Sequence, residues 1–495
     1  MVFHRTNSCR TPRRLAVVAI GTALALSPMR AQLVTPKTVP VFQDEQFDIF
    51  PSSRPGLAGV SIALDDTLGD PFTNPAKALR AHGLTITTAP YSHGISGNRG
   101  GGRTLPIGFL GSSGTWAGAF LGAIQQSERV GPVWNRPTSQ RTANNQYLTA
   151  SLAHQLAPGL AIGVSAFHAD LAAVDGVDLL YSGSDRIEQS GSLDDFRLGA
   201  TKEWERGHGL ELLVLHNRTD MRHDVHFTNF VWDSVLRRGA QVTRQDVNLD
   251  QTNIWGIHTE YTRPVGTEGW RIGLLGTANV LSHPKIPNYT LQNIPRDPGT
   301  THAFNAGVGA ARVDGPFTFG VDLIIEPMTS NTWADSPVPI KRTDGSVIAA
   351  GEKTVENHFQ FHNTKARIGV GHSWALDKES TSTFAMDLGI AMYAISYDLR
   401  QTSNITRIAR TQHENWVESG PTLGLRYRSR DIEVSYAFRS SCGNTNCDEQ
   451  TNVVFATRGA DAFTTGGIIA APSSPLFLQS GKETSHHFMI AVPVR

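Results

Sequence analysis

The chain has 495 residues, of which 44 are Lys or Arg and 44 are Asp or Glu, so its formal net charge at pH 7 is zero. This balance excludes the strongly basic character that is common in nucleic-acid-binding proteins. Hydrophobic residues make up 39% of the chain and Gly contributes 47 residues, which is too polar for a bundle of membrane-spanning helices. Such a composition suits a chain in which only alternate residues meet an apolar environment.

The N-terminus has the pattern of a secretory signal peptide. Arg13 and Arg14 precede an apolar run over residues 15–26, and a short segment follows that ends in Ala31. A basic region, a short apolar core and a small residue at the exit are typical of such peptides. We therefore expect residues 1–31 to be removed on export. The alternative is an N-terminal membrane anchor, but no stretch of the chain reaches the roughly 18 apolar residues of a spanning helix.

Residues 32–80 form a second segment, which is rich in Pro, Asp and Gly and has no clear periodicity. Residues 81–495 consist of runs in which apolar and polar residues alternate, joined by turn residues. Many runs reach the length of about ten residues that a tilted strand needs to cross a bilayer. We predict an all-β protein, a transmembrane antiparallel up-and-down β-barrel. It has about 16 strands, or 14 if residues 105–125 do not form a hairpin.

The connections between the predicted strands alternate in length. Short turns such as Pro158-Gly159 alternate with longer polar stretches, which we expect to be outer loops. These stretches cover residues 172–193, 222–253, 284–302, 330–358, 401–415 and 442–485. Short periplasmic turns and longer outer loops are typical of bacterial outer-membrane barrels. The pattern predicts that the protein lies in the outer membrane and that both chain ends are periplasmic.

Charged residues mark the inner face of several predicted strands. Asp322 and Glu326 alternate with the apolar residues of 317–325, and Arg367 alternates with Ile368 and Val370. A charge that faces lipid costs about 2–4 kcal/mol at the bilayer midplane. We therefore place these charged side chains in the lumen.

The sequence contains no recognisable catalytic or metal-binding motif, so we expect neither enzymatic activity nor a cofactor or metal. The closest histidine pairs are His223 with His226, His358 with His362, and His486 with His487. They lack carboxylates at a suitable spacing for a metal site. Cys442 and Cys447 are five residues apart, which favours a small disulfide-closed loop in an oxidising compartment.

Residues 56–76 carry a short motif. A run of Gly, Ala and aliphatic residues leads to Asp65 and Asp66, and the segment ends in Asn74, Pro75 and Ala76 before the first predicted strand. Asn-Pro is turn chemistry, and Asp66 is suited to cap a short helix. The motif resembles the N-terminal hatch of the long-chain fatty acid (FadL-type) outer-membrane transporter family. The resemblance implies that residues 32–80 plug the barrel; the alternative is an ordinary periplasmic linker.

The resemblance further implies transport of hydrophobic small molecules, long-chain fatty acid-like, across the outer membrane. A ligand carboxylate needs a cation in the lumen, because an unpaired buried charge is costly. By their position on the inner face, the candidates are Arg197, Arg271, Arg367 and Arg426. The aromatic stretch 227–232 is either a hydrophobic entrance patch or a loop cluster that packs on itself.

Two other functions stay open at the sequence level. One is a structural or adaptor barrel in protein secretion or surface display. The other is a general diffusion porin, but a hatch that plugs the barrel does not fit an open pore. In all cases we expect the partners to include outer-membrane lipids and the barrel-assembly machinery, and no nucleic acid. A hydrophobic small-molecule ligand is expected for the transporter.

Overall fold

The computed structural model describes most of the chain from residue 47 onward. The described residues are 47, 49–95, 101–129, 141–174, 186–205, 207–233, 238–266, 268–283, 299–336, 338–377, 379, 381–443 and 482–494. The signal-peptide prediction for residues 1–31 and the Cys442–Cys447 disulfide, because of Cys447, fall outside them. Within the described residues, no helix is long and apolar enough to cross a membrane.

Nearly all regular structure is β-strand. A short α-helix α1 (Asp70–Thr73) and a 3-10 helix (Pro75–Arg80) precede the strands. The strands are β1 (Leu84–Thr88), β2 (Tyr91–Ile95), β3 (Gly101–Ser113), β4 (Trp116–Arg129), β5 (Arg141–Ala157), β6 (Leu160–Leu171), β7 (Arg186–Glu203), β8 (Gly209–Asp233), β9 (Arg238–Val265), β10 (Trp270–His283), β11 (Gly299–Asp314), β12 (Phe317–Asp335), β13 (Ile340–Lys341), β14 (Val347–Ile348), β15 (Lys353–Ala375), β16 (Thr383–Ser403), β17 (Ile408–Arg428), β18 (Glu433–Gly443) and β19 (Lys482–Val494).

The strands form a closed antiparallel barrel. Each long strand pairs with the next in the chain, and β19 pairs with β1 and β2 to close the wall, while β13 and β14 form a separate small hairpin. β1 and β2 keep one register against β19, with Leu84 opposite Val494 and Tyr91 opposite His487. They therefore occupy one wall position, interrupted at Pro90, which has no N–H for the ladder. The wall has 16 positions, which confirms the larger predicted count because β3 and β4 form the hairpin over residues 105–125.

The two faces of the wall differ as predicted. On β12, Val321, Leu323 and Ile325 are 36–51% exposed on the outside, whereas Asp322 and Glu326 are 1% and 8% exposed on the inside. Exposed apolar side chains recur on the outside of the other long strands. Aromatic residues stand near the short turns, namely Trp116, Trp204, Trp374, Phe384 and Tyr427. An apolar band with an aromatic girdle is the lipid-facing surface of a transmembrane barrel.

The short turns lie at one end of the barrel, together with the first and last wall residues Leu84 and Val494. Gly114, Gly159 and Gly315 have positive φ in three of these turns, a conformation that glycine adopts without strain. The arrangement agrees with the predicted periplasmic position of both ends of the barrel domain.

Three predicted outer loops are wrong, because strands occupy much of them. Residues 222–253 are mostly the outer parts of β8 and β9, which are 25 and 28 residues long. Residues 330–358 contain the ends of β12 and β15 with the β13–β14 hairpin, and residues 401–415 contain the ends of β16 and β17. Beyond the lipid band, water meets the outer face, so that face is polar, and on β8 the apolar residues Val225 and Phe227 are buried on the inner face instead. These strand ends therefore lack the apolar outer face that marks a membrane-crossing strand in sequence.

Candidate functional site

Residues 49–80, which we call the plug, fold inside the barrel around Asp66. The Asp66 carboxylate accepts hydrogen bonds from the Ser52 and Ser53 hydroxyls and from the main-chain N–H of Ser53, at 2.5–2.9 Å. It also accepts from the N–H groups of Leu68 and Gly69, at 3.2 and 3.1 Å. One side chain thus ties the start of the plug to the turn before α1. Asp66 therefore organises a turn and is not the N-cap of α1, which is Gly69.

The Asn74-Pro75-Ala76 part of the motif starts the 3-10 helix and touches the wall. The Asn74 side chain accepts a hydrogen bond from Ala76 N–H at 3.2 Å and donates to Glu211 of β8 at 3.4 Å. Gly199 of β7 faces Asn74 so closely that a Cβ there would overlap the Asn74 Oδ1 atom. Asn74 thus caps the helix and fixes it against the wall, which accounts for its near-complete burial.

Charged pairs join the last part of the plug to the barrel. Asp65 binds Arg80 within the plug and Arg271 on β10. Burial raises the pKa of the Asp65 carboxyl, but Arg80 and Arg271 outweigh that effect and hold the pKa below its ordinary value. Lys77 is buried with Glu211 at 2.8 Å, and Arg80 also reaches Glu203 of β7. The plug is therefore anchored electrostatically to β7, β8 and β10.

All four arginines that the sequence places in the lumen do face inward, and all four contact the plug. Arg271 pairs with Asp65, and Arg197 of β7 donates to the carbonyls of Phe72 and Thr73 at 3.3 and 2.9 Å. On the other side of the barrel, Arg367 of β15 donates to a plug carbonyl at 2.8 Å, as does Arg426 of β17 at 2.5 Å; the acceptors are Gly59 and Ser53. Their predicted role towards a ligand carboxylate stays a prediction.

On β12, a wall side chain accepts hydrogen bonds from the plug instead of donating them. The Asp322 carboxylate accepts hydrogen bonds from the N–H groups of Ser61 and Ile62, at 2.8 and 3.4 Å. On β17, the Thr422 hydroxyl donates to the Gly56 carbonyl at 2.7 Å. Wall side chains thus bind the main chain of the plug on both its donors and its acceptors. The charge-assisted bonds of Asp322 contribute about 1.5–3 kcal/mol each.

A row of inward-facing glycines, which we call the glycine belt, lets the plug lie directly on the wall. A Cβ at Gly369 would come within 2.9 Å of the Leu57 carbonyl oxygen, and one at Gly320 within 2.6 Å of Val60. The belt consists of Gly163, Gly199, Gly273, Gly309, Gly320, Gly369, Gly389 and Gly424. Several members are directly paired, as Gly320 is with Gly369 and Gly369 with Gly389. The sequence interpretation missed this feature, whose only signal is glycine at lumen-facing positions inside strands.

Aromatic residues pack the opposite part of the plug against β5 and β6. Phe50 stacks on Phe72 with ring centroids 5.1 Å apart and contacts Phe167 at 6.4 Å. Phe47 meets Tyr147 edge-on at 5.7 Å. These rings belong to a larger buried cluster that joins the plug to the inner wall. Apolar packing therefore adds to the polar anchors.

Next to the plug, on the side away from the short turns, four inward-facing side chains form what we call the polar cluster. Lys365 of β15 pairs with Glu326 of β12 at 3.1 Å and lies over the ring of Tyr393 at 4.8 Å. Asn363 donates from Nδ2 to the Tyr393 hydroxyl at 3.1 Å. These residues follow Asp322 and Arg367, which hold the plug, on the same inward faces.

Farther along the same strands lies an apolar surface, which we call the aromatic patch. Phe359 and Phe361 stack at 5.8 Å, and Tyr397 contacts both rings at 5.9 and 5.4 Å. The patch consists of Ala303, Met328, Phe359, Phe361, Ile395, Tyr397 and Leu399. Polar residues such as Asn357 and Gln401 follow it towards the outer mouth. The inner wall is thus polar at the plug, apolar above it and polar again at the mouth.

The other predicted features are placed as follows. Phe227 lies in β8, packs with Val225 and has the Arg244 guanidinium 4.6 Å from its ring centre. This favours internal packing over an exposed entrance patch at Phe227; the side chains of residues 229–232 lie outside the described part. Among the described residues, no group of three or more His, Cys, Asp or Glu is placed to hold a metal ion.

Comparison with known proteins finds no matching family model and no matching curated protein. Several solved structures are similar in fold. A Pseudomonas aeruginosa FadL homologue is 9% identical, with 90% of this chain and 99% of that chain covered and a TM-score of 0.44. The Ralstonia pickettii toluene transporter TbuX is 10% identical, with 90% and 98% covered and a TM-score of 0.37. The CymD monoaromatic hydrocarbon channel is 11% identical, with 90% and 98% covered and a TM-score of 0.35. At these identities the likeness concerns fold alone.

Proposed function

We propose that the chain is a plugged outer-membrane barrel of the FadL type that carries hydrophobic small molecules across the outer membrane. The observation that carries the proposal is the aromatic patch on the inner wall, directly above a plug that is bound to the wall. A long-chain fatty acid-like ligand, the outer-membrane lipids and the barrel-assembly machinery remain predicted partners.

An open diffusion pore fits the lumen less well. Porins line a water-filled channel with polar side chains. Here the aromatic patch places seven apolar or aromatic residues on the inside of β11, β12, β15 and β16. These residues are 1–8% exposed and pack on one another, so this part of the inner wall presents apolar side chains and not the polar lining of a water-filled channel. An apolar ligand is the natural partner for this surface during transport.

The break in the first wall position supports a sideways exit. Pairing of β1 with β3 stops at Thr88 opposite Ile107, and pairing of β2 with β3 resumes at Tyr91 opposite Thr104. Pro90 and Pro106 both fall in this gap, and neither has an N–H to donate. The wall is therefore weakly hydrogen-bonded beside the closing strand. We place the exit of an apolar ligand there or past the plug.

An adaptor role in secretion or surface display is the second candidate. The observation that favours it is the β8–β9 hairpin. Its pairing continues to Asp233 opposite Arg238, whereas the pairing of β9 with β10 stops at Asn253 opposite Ser282. Within the described residues, the outer half of β9 thus offers one unpaired edge, to which an extended segment can add.

Vesicles that contain the purified protein separate these functions. We expect faster uptake of radiolabelled dodecanoate and 1-dodecanol than in protein-free vesicles, without leakage of arabinose. Arabinose leakage through the intact protein would support a porin. Absence of uptake for both apolar probes, in a barrel that still migrates faster before heating than after, would support the adaptor.

The plug motif makes a separate prediction. Asp66→Ala removes the acceptor of five hydrogen bonds, so we expect the plug to lose about 3–5 kcal/mol of local stability. Hydrogen exchange followed by mass spectrometry measures this as faster exchange over residues 52–70. Asp314→Ala, at an exposed turn of the same barrel end, is the matched control. Unchanged exchange in the Asp66 variant would contradict the organising role of its carboxylate.

A further inference from the structure

We infer that the polar cluster selects ligands with a neutral, hydrogen-bond-donating head group, such as a phenol or an alcohol, over ligands with a carboxylate. The inference rests on the proposed function and narrows its substrate class, because it ranks a carboxylate such as dodecanoate below an alcohol such as 1-dodecanol. The juxtaposition that carries it is an ion pair and an amide at the boundary between the plug and the aromatic patch, where the polar end of an amphipathic ligand would lie.

The cation of the cluster is already neutralised. Lys365 binds Glu326 at 3.1 Å, and both side chains are about nine-tenths buried. The carboxylate of Glu418 on β17 also acts electrostatically on the cluster through Tyr393. The next cation towards the plug, Arg367, donates to the Gly59 carbonyl and faces Asp322. An added carboxylate would therefore meet two fixed carboxylates beside a lysine that is already paired, at a site with little water to screen them.

The Asn363 amide of the cluster can accept a further hydrogen bond. Asn363 is only 4% exposed, and its Oδ1 atom has no hydrogen-bond partner among the described residues. The amide is oriented by its neighbour, because the Asn363 Nδ2 donates to the Tyr393 hydroxyl at 3.1 Å. The remaining Oδ1 is an acceptor that a ligand hydroxyl can satisfy and a carboxylate cannot. A buried acceptor without a partner is unfavourable, so a ligand donor that satisfies it gains affinity.

The aromatic patch supplies the complementary apolar surface. Phe361 is the register partner of Met328 and lies two residues from Asn363 on the same face of β15, so the patch begins at the next inward position beyond the amide. A ligand with its hydroxyl on Asn363 thus places its apolar body on Phe361, Met328 and Tyr397. Aromatic rings favour this contact with an aromatic or a linear alkyl body alike.

Three matched probes test the inference, namely 4-butylphenol, 4-butylanisole and 4-butylbenzoate. They share one apolar body and differ in carrying a neutral donor, a neutral acceptor or an anion. Calorimetric titration of the full-length protein in lipid nanodiscs, with empty nanodiscs subtracted, measures each Kd at pH 7.5. We expect the phenol to bind about tenfold tighter than the anisole and the benzoate, which corresponds to about 1.4 kcal/mol. Benzoate binding as tight as phenol binding would overturn the inference.

Two variants locate the effect. Asn363→Leu should weaken phenol binding by about five- to tenfold, to the level of the anisole, and leave the benzoate unchanged. Glu326→Gln should improve benzoate binding by about tenfold, because it removes the carboxylate that pairs with Lys365 and repels the ligand carboxylate. The control is Asn357→Leu, on the same face of β15 but nearer the mouth. Equal phenol binding by wild type and Asn363→Leu would also overturn the inference. Uptake of both dodecyl probes in the vesicle assay would then leave the proposed function intact, whereas failure of that function removes uptake altogether.

Discussion

The double substitution Gly320→Leu/Gly369→Leu is expected to displace the plug from the wall and make the barrel permeable to small solutes. The two glycines are register partners, and each faces the plug at a distance that leaves no room for a Cβ. Leu57 contacts Gly369 through its main chain, which cannot rotate away as a side chain can. Overpacking a well-filled interior costs about 1–3 kcal/mol per site. Two adjacent leucines therefore oppose plug docking while their backbone positions in the wall remain compatible with a strand.

Swelling of vesicles in arabinose measures this effect, and we expect a rate about tenfold above wild type for a loss of about 1.4 kcal/mol or more in plug docking. Gly122→Leu is the matched control, because a Cβ added to this lipid-facing glycine would have no non-neighbouring atom closer than 3.9 Å. Gel migration before and after heating checks that each barrel is folded. A folded double variant that stays impermeable to arabinose would show that the glycine belt is not needed to hold the plug against the wall.

The second large effect is expected from Arg367→Met/Arg426→Met. Each arginine donates to a plug carbonyl, of Gly59 and Ser53, at the two ends of the plug segment that lies over β15 to β17. Loss of two charge-assisted hydrogen bonds removes about 3–6 kcal/mol of docking free energy. Methionine keeps the apolar length of the side chain, so the packing of the wall changes little.

Planar bilayer recordings test this prediction. The variant should show brief pore openings at a frequency at least about a hundredfold above wild type, as a docking loss of about 3 kcal/mol requires. Arg428→Met is the control, because Arg428 lies on the same strand but is exposed near the short turns. A variant as silent as wild type would mean that the wall arginines serve another purpose, for which the predicted role towards a ligand carboxylate is the first candidate.

The sequence by itself determined the barrel. Alternating runs, turn residues such as Pro158-Gly159 and the inward charges at Asp322 and Glu326 predict strands, hairpins and faces that the structure confirms. These signals are local, because the bilayer imposes apolar residues on one face of every crossing strand. The same signals fail outside the lipid band. There the outer face is polar and, on β8, the apolar residues Val225 and Phe227 lie on the inner face, so these strand ends lack the apolar outer face of a crossing strand.

The plug motif was predictable from the sequence in part. The family resemblance and turn chemistry singled out Asp66 and Asn74. Asn74 caps the 3-10 helix locally. Asp66 does not cap α1, and it organises the plug mainly through Ser52 and Ser53. The sequence did not predict which wall residues contact the plug. Arg367 and Gly59 are 308 residues apart in the chain, and their contact exists only because the barrel closes around the plug.

Only the tertiary structure decided what the side chains in the lumen contact. Four inward arginines are equally consistent in sequence with a ligand site, but closure of the barrel brings each one against the plug. The polar cluster and the aromatic patch likewise arise from strands that share no local pattern, since side chains of β12, β15 and β16 meet through register alone. The alternation of residues along a strand determines which face a side chain lies on. The register between strands determines which other side chains it contacts there.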